Sequence, residues 1–175
     1  MNLNSINGIL ANLTPLIAQW WTPIEMIAYL AGFILIASGL VRLAYAHRGR
    51  EGVYGGLLRI IAGILLLNLP EFLNVLTVSV FSQPSPTSAL EYAPPNGATN
   101  GIMRFIVVAV EIIGLVGVLR GLVLLAGAGS EPRNVGRAIT HIVAGIAAVN
   151  ITQLLSVIGQ SAGSSVNSII HRFIT

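Results

Sequence analysis

The sequence predicts an all-α integral membrane protein of four transmembrane helices, arranged as two tandem helical hairpins that repeat in parallel, with an amphipathic helix at the N-terminus. Three observations predict this fold class. Of the 175 residues, 54% are hydrophobic and only 9% are charged, whereas about a quarter of the residues in soluble domains are charged. Four apolar runs are each long enough to cross a bilayer, which takes about 20 residues. The two halves of the chain also resemble each other.

The segments outside the hairpins differ in composition. Residues 1–22 carry apolar side chains at helical spacing and end in Trp20 and Trp21, which is typical of an amphipathic helix at the membrane interface. Residues 82–101 are rich in Pro, Ser, Thr, Asn and Gly and predict an extramembrane loop. Residues 159–175 form a Ser- and Gly-rich C-terminal tail.

The two hydrophobic hairpins are residues 23–81 and 102–158. Each contains two predicted spans joined by a short turn with several arginines. The predicted spans cover residues 23–46, 53–81, 102–128 and 135–158. Pro70 predicts a kink in the second span, because proline lacks the backbone donor that a continuous helix uses.

An internal repeat is the sharpest pattern in the chain. The segment 32–76 aligns with the segment 114–158 without a gap. The glycine and asparagine matches are the most informative, because apolar matches are frequent in any pair of membrane helices. These matches are Gly32 with Gly114, Gly39 with Gly121, Gly63 with Gly145, and Asn68 with Asn150. Both copies begin on the same side of the membrane, so the repeat is parallel and not inverted.

Arginines surround both hairpin turns and predict the orientation. Arg48 and Arg50 lie at the first turn, and Arg133 and Arg137 at the second. Basic residues near spans stay on the cytoplasmic side, so we expect both turns in the cytoplasm and both termini outside it, in a bacterial inner membrane. Two interpretations of the four arginines remain open. They set topology and contact anionic lipid headgroups, or they line a conduit in an oligomer and meet phosphate there.

Several catalytic chemistries are excluded by composition. The chain has no Cys, Lys or Asp, which removes thiol nucleophiles, the P-loop lysine and the aspartate of most triads. Residues 159–163 spell G-x-S-x-G, the turn that carries a hydrolase serine, but here it follows a predicted membrane helix. The sequence therefore predicts no enzymatic activity, no catalytic residue, no metal and no cofactor.

Polar residues inside the predicted spans support two alternatives. Ionisable groups are costly in a membrane and usually face other helices or water. They either pair during assembly, which we favour, or form a path for protons in a small channel or transporter. These residues are Asn68, Glu71, Glu111, Arg120, His141 and Asn150.

Small residues recur in the same helices. Glycine lets two membrane helices approach closely, so this pattern favours helix packing and oligomerisation. The glycines concerned are Gly32, Gly39, Gly63, Gly114, Gly117, Gly121 and Gly145.

The first hairpin resembles a known group of membrane proteins. An apolar helix ends in GLVRLA at residues 39–44, a basic turn follows at residues 47–50, and RIIAGILLLNLP runs over residues 59–70. This order resembles the small inner-membrane proteins of type IVB secretion and IncI-type conjugation, namely the TraQ, IcmC/DotE and IcmD/DotP families. The resemblance implies a structural subunit that self-associates and meets other secretion subunits, with nucleic acid only as a transported substrate.

Each hairpin is also similar to the pilins of type IV secretion systems. In that family, two hydrophobic helices flank a basic loop that faces the lumen, and the helices bind phospholipid. The resemblance implies that Arg48, Arg50, Arg133 and Arg137 face a lumen, that phospholipid is bound, and that a tandem pilin-like subunit enters an extracellular conjugative pilus. An assembly factor of the secretion apparatus is a further alternative.

Overall fold

A computed structural model describes residues 3–45, 50–81 and 101–161, and every element within these ranges is an α-helix. The predicted loop at residues 82–100, Arg48 in the first turn, and the tail from residue 162 lie outside the described residues. The helices are α1 (Leu3–Ala18), α2 (Trp21–Ala44), α3 (Arg50–Leu67), α4 (Leu69–Phe81), α5 (Gly101–Gly127), α6 (Arg133–Val149) and α7 (Ile151–Ser161).

Long apolar helices indicate a membrane protein. Among the described residues, Asn7–Ala44 and Arg104–Gly127 are each long and apolar enough to cross a membrane. A third candidate is the bent pair Val53–Leu67 and Leu69–Phe81, if the two helices count as one span. The predicted all-helical membrane class is confirmed at this level.

The N-terminal helix α1 continues into α2 with only a short turn at residues 19–20. The run Asn7–Ala44 contains 38 residues, or about 57 Å of helix, which exceeds the roughly 30 Å of bilayer hydrocarbon. Part of this run must therefore tilt strongly or lie outside the apolar layer. Helix α1 packs against α5, where the start of α5 at Gly101 approaches the backbone of Asn7 and Ala11.

Helices α2 and α3 form the first hairpin through backbone contact at glycines. A Cβ atom at Gly32 would lie 2.8 Å from the carbonyl oxygen of Gly63, and one at Gly63 would lie 2.7 Å from that of Gly32. Further along, a Cβ at Gly39 would lie 2.7 Å from Cγ1 of Ile60. No side chain larger than hydrogen fits at these three positions without separating the helices.

Helices α5 and α6 form the second hairpin through the same kind of contact. A Cβ at Gly114 would lie 2.7 Å from the carbonyl oxygen of Gly145, and one at Gly145 would lie 2.6 Å from that of Gly114. A Cβ at Gly121 would lie 2.6 Å from Cγ1 of Ile142. Each of these contacts stands at the position that the repeat makes equivalent to its counterpart in the first hairpin.

The second and fourth predicted spans are each interrupted at an asparagine. Asn68 separates α3 from α4, which are bent by 89°, and Asn150 separates α6 from α7. In both, Nδ2 donates to the carbonyl of the residue four positions earlier, at 3.0 Å for Asn68 and 2.9 Å for Asn150. Such a side-chain bond competes with the helical backbone pattern.

Proline alone does not explain the breaks. Pro70 lies in the first turn of α4, where its missing N–H has no helical acceptor in any case. The position equivalent to Pro70 is Thr152, yet α6 still ends before Asn150. The sequence predicted a kink at Pro70, whereas the structure interrupts the second predicted span two residues earlier, at Asn68. An equivalent break occurs in the fourth predicted span at Asn150.

The two hairpins pack side by side through α3 and α5, which make far more contact than α2 and α5. A core of buried apolar side chains fills this interface, including Leu66 and Leu73 from the first hairpin and Leu115 and Leu122 from the second. The turn ends of both hairpins lie at the same end of the bundle, where the backbones of Gly55 and Gly129 touch.

Candidate functional site

A hydrogen bond from Arg42 joins the turn ends of the two hairpins. Nη2 of Arg42, at the end of α2, donates to Oγ of Ser130 in the second turn at 3.1 Å. Its Nη1 atom is buried and has no hydrogen-bond partner among the described residues, and the guanidinium lies against Gly55. Arg42 aligns with Leu124 in the repeat. An arginine at a position where the other copy has leucine is the feature of the sequence that could have indicated a contact specific to the first hairpin.

A cavity of about 700 Å³ opens beside this contact. Its walls are Ser130, Glu131, Pro132, Arg133, Asn134 and Arg137. The guanidinium groups of Arg133 and Arg137 are exposed, while Glu131 accepts a hydrogen bond from Asn134 at 3.2 Å. Two of the four predicted loop arginines therefore share one concave surface, which suits an anionic group better than a cation.

The other two loop arginines are not placed with them. Arg48 lies outside the described residues, and Arg50 is the first residue of α3. The structure therefore brings Arg133 and Arg137 together in one cavity.

The predicted intramembrane ionisable residues do not assemble into one site. Glu71 and Arg120 are exposed, and Glu111 and His141 are partly buried. His141 Nδ1 lies 2.8 Å from the carbonyl oxygen of Arg137, and Nδ1 must carry the proton because a carbonyl only accepts. Among the described residues, no salt bridge joins any of these four side chains.

A fully buried polar contact joins the two hairpins at the second helix break. Asn150 and Thr77 are both fully buried, and Asn150 Nδ2 donates to Thr77 Oγ1 at 2.9 Å. Nδ2 also donates to Ile146, so both of its hydrogens are used, while Oδ1 has no hydrogen-bond partner. Thr77 was not singled out from the sequence, although Leu69, Leu73 and Thr77 share one buried face of α4.

The equivalent asparagine of the first hairpin has a different environment. Asn68 is exposed, and its Nδ2 bonds only within its own helix, to Ile64. The two asparagines thus both stand at a helix break, but only Asn150 is covered by another helix.

Replacing Thr77 with valine tests this contact between the hairpins. The change keeps the shape and leaves one Nδ2 hydrogen of Asn150 buried without an acceptor, so we expect a loss of about 1–3 kcal/mol in unfolding free energy. Thermal unfolding of the detergent-extracted protein measures it. The control is Ser79→Ala on the same helix, where an exposed hydroxyl donates to Val75. Equal losses for both variants would mean that the Thr77 bond adds nothing.

A second polar pair was also missed, in which a buried carboxylate meets the exposed side chain of Tyr29. Glu25 on α2 is buried, and its Oε1 accepts a hydrogen bond from the hydroxyl of Tyr29 at 2.7 Å. The spacing of four residues on one helix is the signal that could have found it.

The predicted packing glycines lie at helix contacts, and six of the seven are tight. Gly117 is looser, since its nearest neighbour to an added Cβ is the Cα of Gly145 at 3.5 Å.

Within the described ranges, no group of three or more His, Cys, Asp or Glu side chains is placed to hold a metal ion. No protein-family model matches this chain, and neither a curated protein nor a solved structure is significantly similar to it.

Proposed function

We propose that this chain is a structural subunit, without enzymatic activity, of a membrane assembly of the conjugative, type IVB-like secretion class. The observation that carries the proposal is the pair of hairpins closed by glycine contacts at equivalent positions of the repeat. Backbone contact of this kind supports rigid units that pack against further copies or partner subunits. The resemblance of the first hairpin to conjugation and pilin proteins supplies the biological class.

The proposed membrane arrangement has four spans made by two tandem copies of one hairpin. Helices α3 and α6 contain 18 and 17 residues, or roughly 25–27 Å, which nearly matches the hydrocarbon thickness of about 30 Å. In this arrangement α3 and α6 would each cross the membrane, and α4 and α7 would lie near the outer surface. The shared turn end, with its arginines, would face the cytoplasm, and both termini would lie on the other side.

The arginine cavity is the proposed contact for phosphate. In a resident membrane subunit, Arg133 and Arg137 would meet phospholipid headgroups. In a pilus they would face the lumen, where a transported nucleic acid is the only nucleic-acid partner that we propose.

Electron microscopy of the membrane-extracted and sheared-surface fractions of cells tests the structural role. We expect the chain in large particles of fixed stoichiometry. Filaments in the sheared fraction would favour the pilin-like subunit, and discrete particles confined to the membrane fraction would favour a resident component. Recovery of the chain only as a small, monodisperse monomer would contradict the proposal.

Neutralising the cavity tests its phosphate role. The double variant Arg133→Gln and Arg137→Gln should reduce plasmid transfer about tenfold or more while the protein level stays unchanged, because hydrogen bonds to charged groups each contribute about 1.5–3 kcal/mol. The double variant Arg133→Lys and Arg137→Lys is the control, since it keeps both positive charges in the cavity. Normal transfer by the double variant would remove the conduit interpretation.

A proton-linked channel or transporter is the second candidate. The interrupted helices at Asn68 and Asn150 favour it, because transporter sites are often built at such breaks. A transporter that uses Glu71, Glu111 and His141 should lose transport in Glu71→Gln, whereas a structural subunit should tolerate that change. An assembly factor would be absent from the purified particles.

A further inference from the structure

The interface between the two hairpins has a defined register. Helices α3 and α5 run in opposite directions, and their contact is fixed at the turn end by Gly55 and Gly129. Counting from this contact in opposite directions places Ala62 level with Leu122. Both residues are fully buried, as expected for the centre of an interface.

The repeat places equivalents of these interface surfaces on α2 and on α6 with α7. Neither equivalent surface is covered by another hairpin among the described residues. On α5, two side chains in the core shared with the first hairpin are almost inaccessible: Leu115 is 1% exposed and Leu122 0%. The equivalent positions on α2 are large apolar side chains of high exposure: Phe33 at 68% and Leu40 at 56%.

The complementary edge shows the same contrast. Ala62 is buried on α3, whereas its equivalent on α6, Ala144, is exposed. Leu73 on α4 is fully buried against the second hairpin, but its equivalent on α7, Leu155, is only partly buried. Each of the two contact surfaces therefore occurs twice in the chain. One copy of each is buried in the interface between the hairpins, and the other copy of each is exposed.

The two asparagines fit this pattern. Asn150 is covered by α4 of the preceding hairpin through Thr77. Asn68 is exposed, and no helix among the described residues covers it. The α7 helix of a neighbouring copy would occupy the place at Asn68 that α4 occupies at Asn150.

We infer that a second copy of this chain docks head-to-tail, with its α6 and α7 against α2 and the Asn68 break of the first copy. The contact repeats between chains the packing of α3 against α5 within one chain. It deepens the proposed structural role by naming the partner and the orientation. Two different surfaces meet, so the interface is heterologous and generates a closed ring or an open filament.

The contact between chains differs from the internal one at the turn end. Arg137 stands where Gly55 allows close approach to Gly129, so the turn ends of neighbouring copies must lie farther apart than those within a chain. The middle of the helices is therefore the place to test the contact. There, Ala144 of one copy lies level with Leu40 of the next.

Disulfide crosslinking in native membranes tests this inference, because the chain has no cysteine of its own. Two single variants with different tags, Ala144→Cys and Leu40→Cys, are coexpressed and oxidised. A disulfide requires the two Cα atoms to come within about 7 Å, so we expect about tenfold more mixed-tag dimer than from Ala144→Cys with Val123→Cys. Val123 is an exposed residue of α5 at a similar depth. The internal pair Ala62→Cys and Leu122→Cys in one chain calibrates the yield.

The outcomes separate this inference from the proposed function. A ladder of dimers, trimers and larger species from the double variant Leu40→Cys and Ala144→Cys supports head-to-tail docking. Crosslinking of Ala144→Cys with itself at the same yield overturns it in favour of a two-fold contact. Absence of mixed dimers, with an efficient internal control, means that lipid covers these faces. If large wild-type particles persist in that case, the structural role stands and only the docking mode fails.

Discussion

Replacing Gly145 with alanine is expected to destabilise the protein, whereas the same change at Gly136, earlier on the same helix, is expected to leave stability unchanged or raise it. At Gly145 the added methyl would lie 2.6 Å from the carbonyl oxygen of Gly114 and 2.8 Å from the backbone nitrogen of Val118. At Gly136, apart from its chain neighbours and the backbone of α6 itself, no described atom lies within 4 Å of the added methyl. Both variants thus replace glycine with alanine on the same helix. They differ in whether another helix lies against the added methyl.

The expected signs follow from two opposing terms. Alanine is favoured over glycine inside a helix by about 1 kcal/mol, and this gain applies at both positions. Overpacking against backbone atoms costs about 1–3 kcal/mol or more, and the backbone of α5 cannot yield as the tip of a flexible side chain can. The overpacking cost exceeds the helix gain at Gly145 and is absent at Gly136.

Thermal unfolding in detergent, followed by the fraction of fluorescently tagged protein that stays monodisperse after heating, measures the difference. A change of about 1 kcal/mol shifts the midpoint by about 2–4 °C in a chain of this size. Gly63→Ala is the matching variant of the first hairpin, where the added methyl would lie 2.7 Å from the carbonyl oxygen of Gly32. A Gly145→Ala variant as stable as Gly136→Ala would mean that α5 and α6 do not approach this closely.

The glycine contacts show what the sequence can predict. Membrane helices have few ways to pack tightly, so a glycine that recurs at Gly32 and Gly114, and again at Gly63 and Gly145, indicates the face where the backbones meet. The all-helical membrane class also follows from composition, because apolar runs of this length have no other low-energy conformation in a bilayer.

The helix breaks and the contact between hairpins were harder to predict. Asparagine is tolerated inside membrane helices, so the sequence indicates a polar contact but not that the helix ends there. The sequence also does not reveal which helices become neighbours. The bond between Arg42 and Ser130 and the bond between Asn150 and Thr77 both cross from one hairpin to the other, and no local spacing pattern encodes such pairs.

Asn68 and Asn150 occupy equivalent positions, so the same substitution at both separates the stability lost from the helix break itself from the stability lost from the contact between hairpins. Asn150→Asp is nearly isosteric but removes both Nδ2 hydrogens, and it places an oxygen atom against the carbonyl oxygen of Ile146, which cannot donate. Asn150 is fully buried, so an ionised aspartate there can accept from the Thr77 hydroxyl but forms no salt bridge among the described residues. We expect a loss of about 3–5 kcal/mol, the range seen when a buried charge is left unpaired.

Asn68→Asp is the control at the equivalent position. It also loses a hydrogen bond to the carbonyl four residues earlier, but its side chain is exposed and no other hairpin of the same chain covers it. We expect a loss of about 1 kcal/mol, the usual net value of one hydrogen bond. The same thermal unfolding measurement, on monomer dispersed in detergent, compares the two variants.

The comparison also reports on neighbouring copies. If α7 of a second copy covers Asn68 in the membrane, Asn68→Asp will reduce assembly in native membranes far more than it reduces the stability of the dispersed monomer, whereas Asn150→Asp will reduce both. Equal losses of stability in the two dispersed variants would show that the helix break, and not the buried contact between Asn150 and Thr77, determines the cost of the substitution.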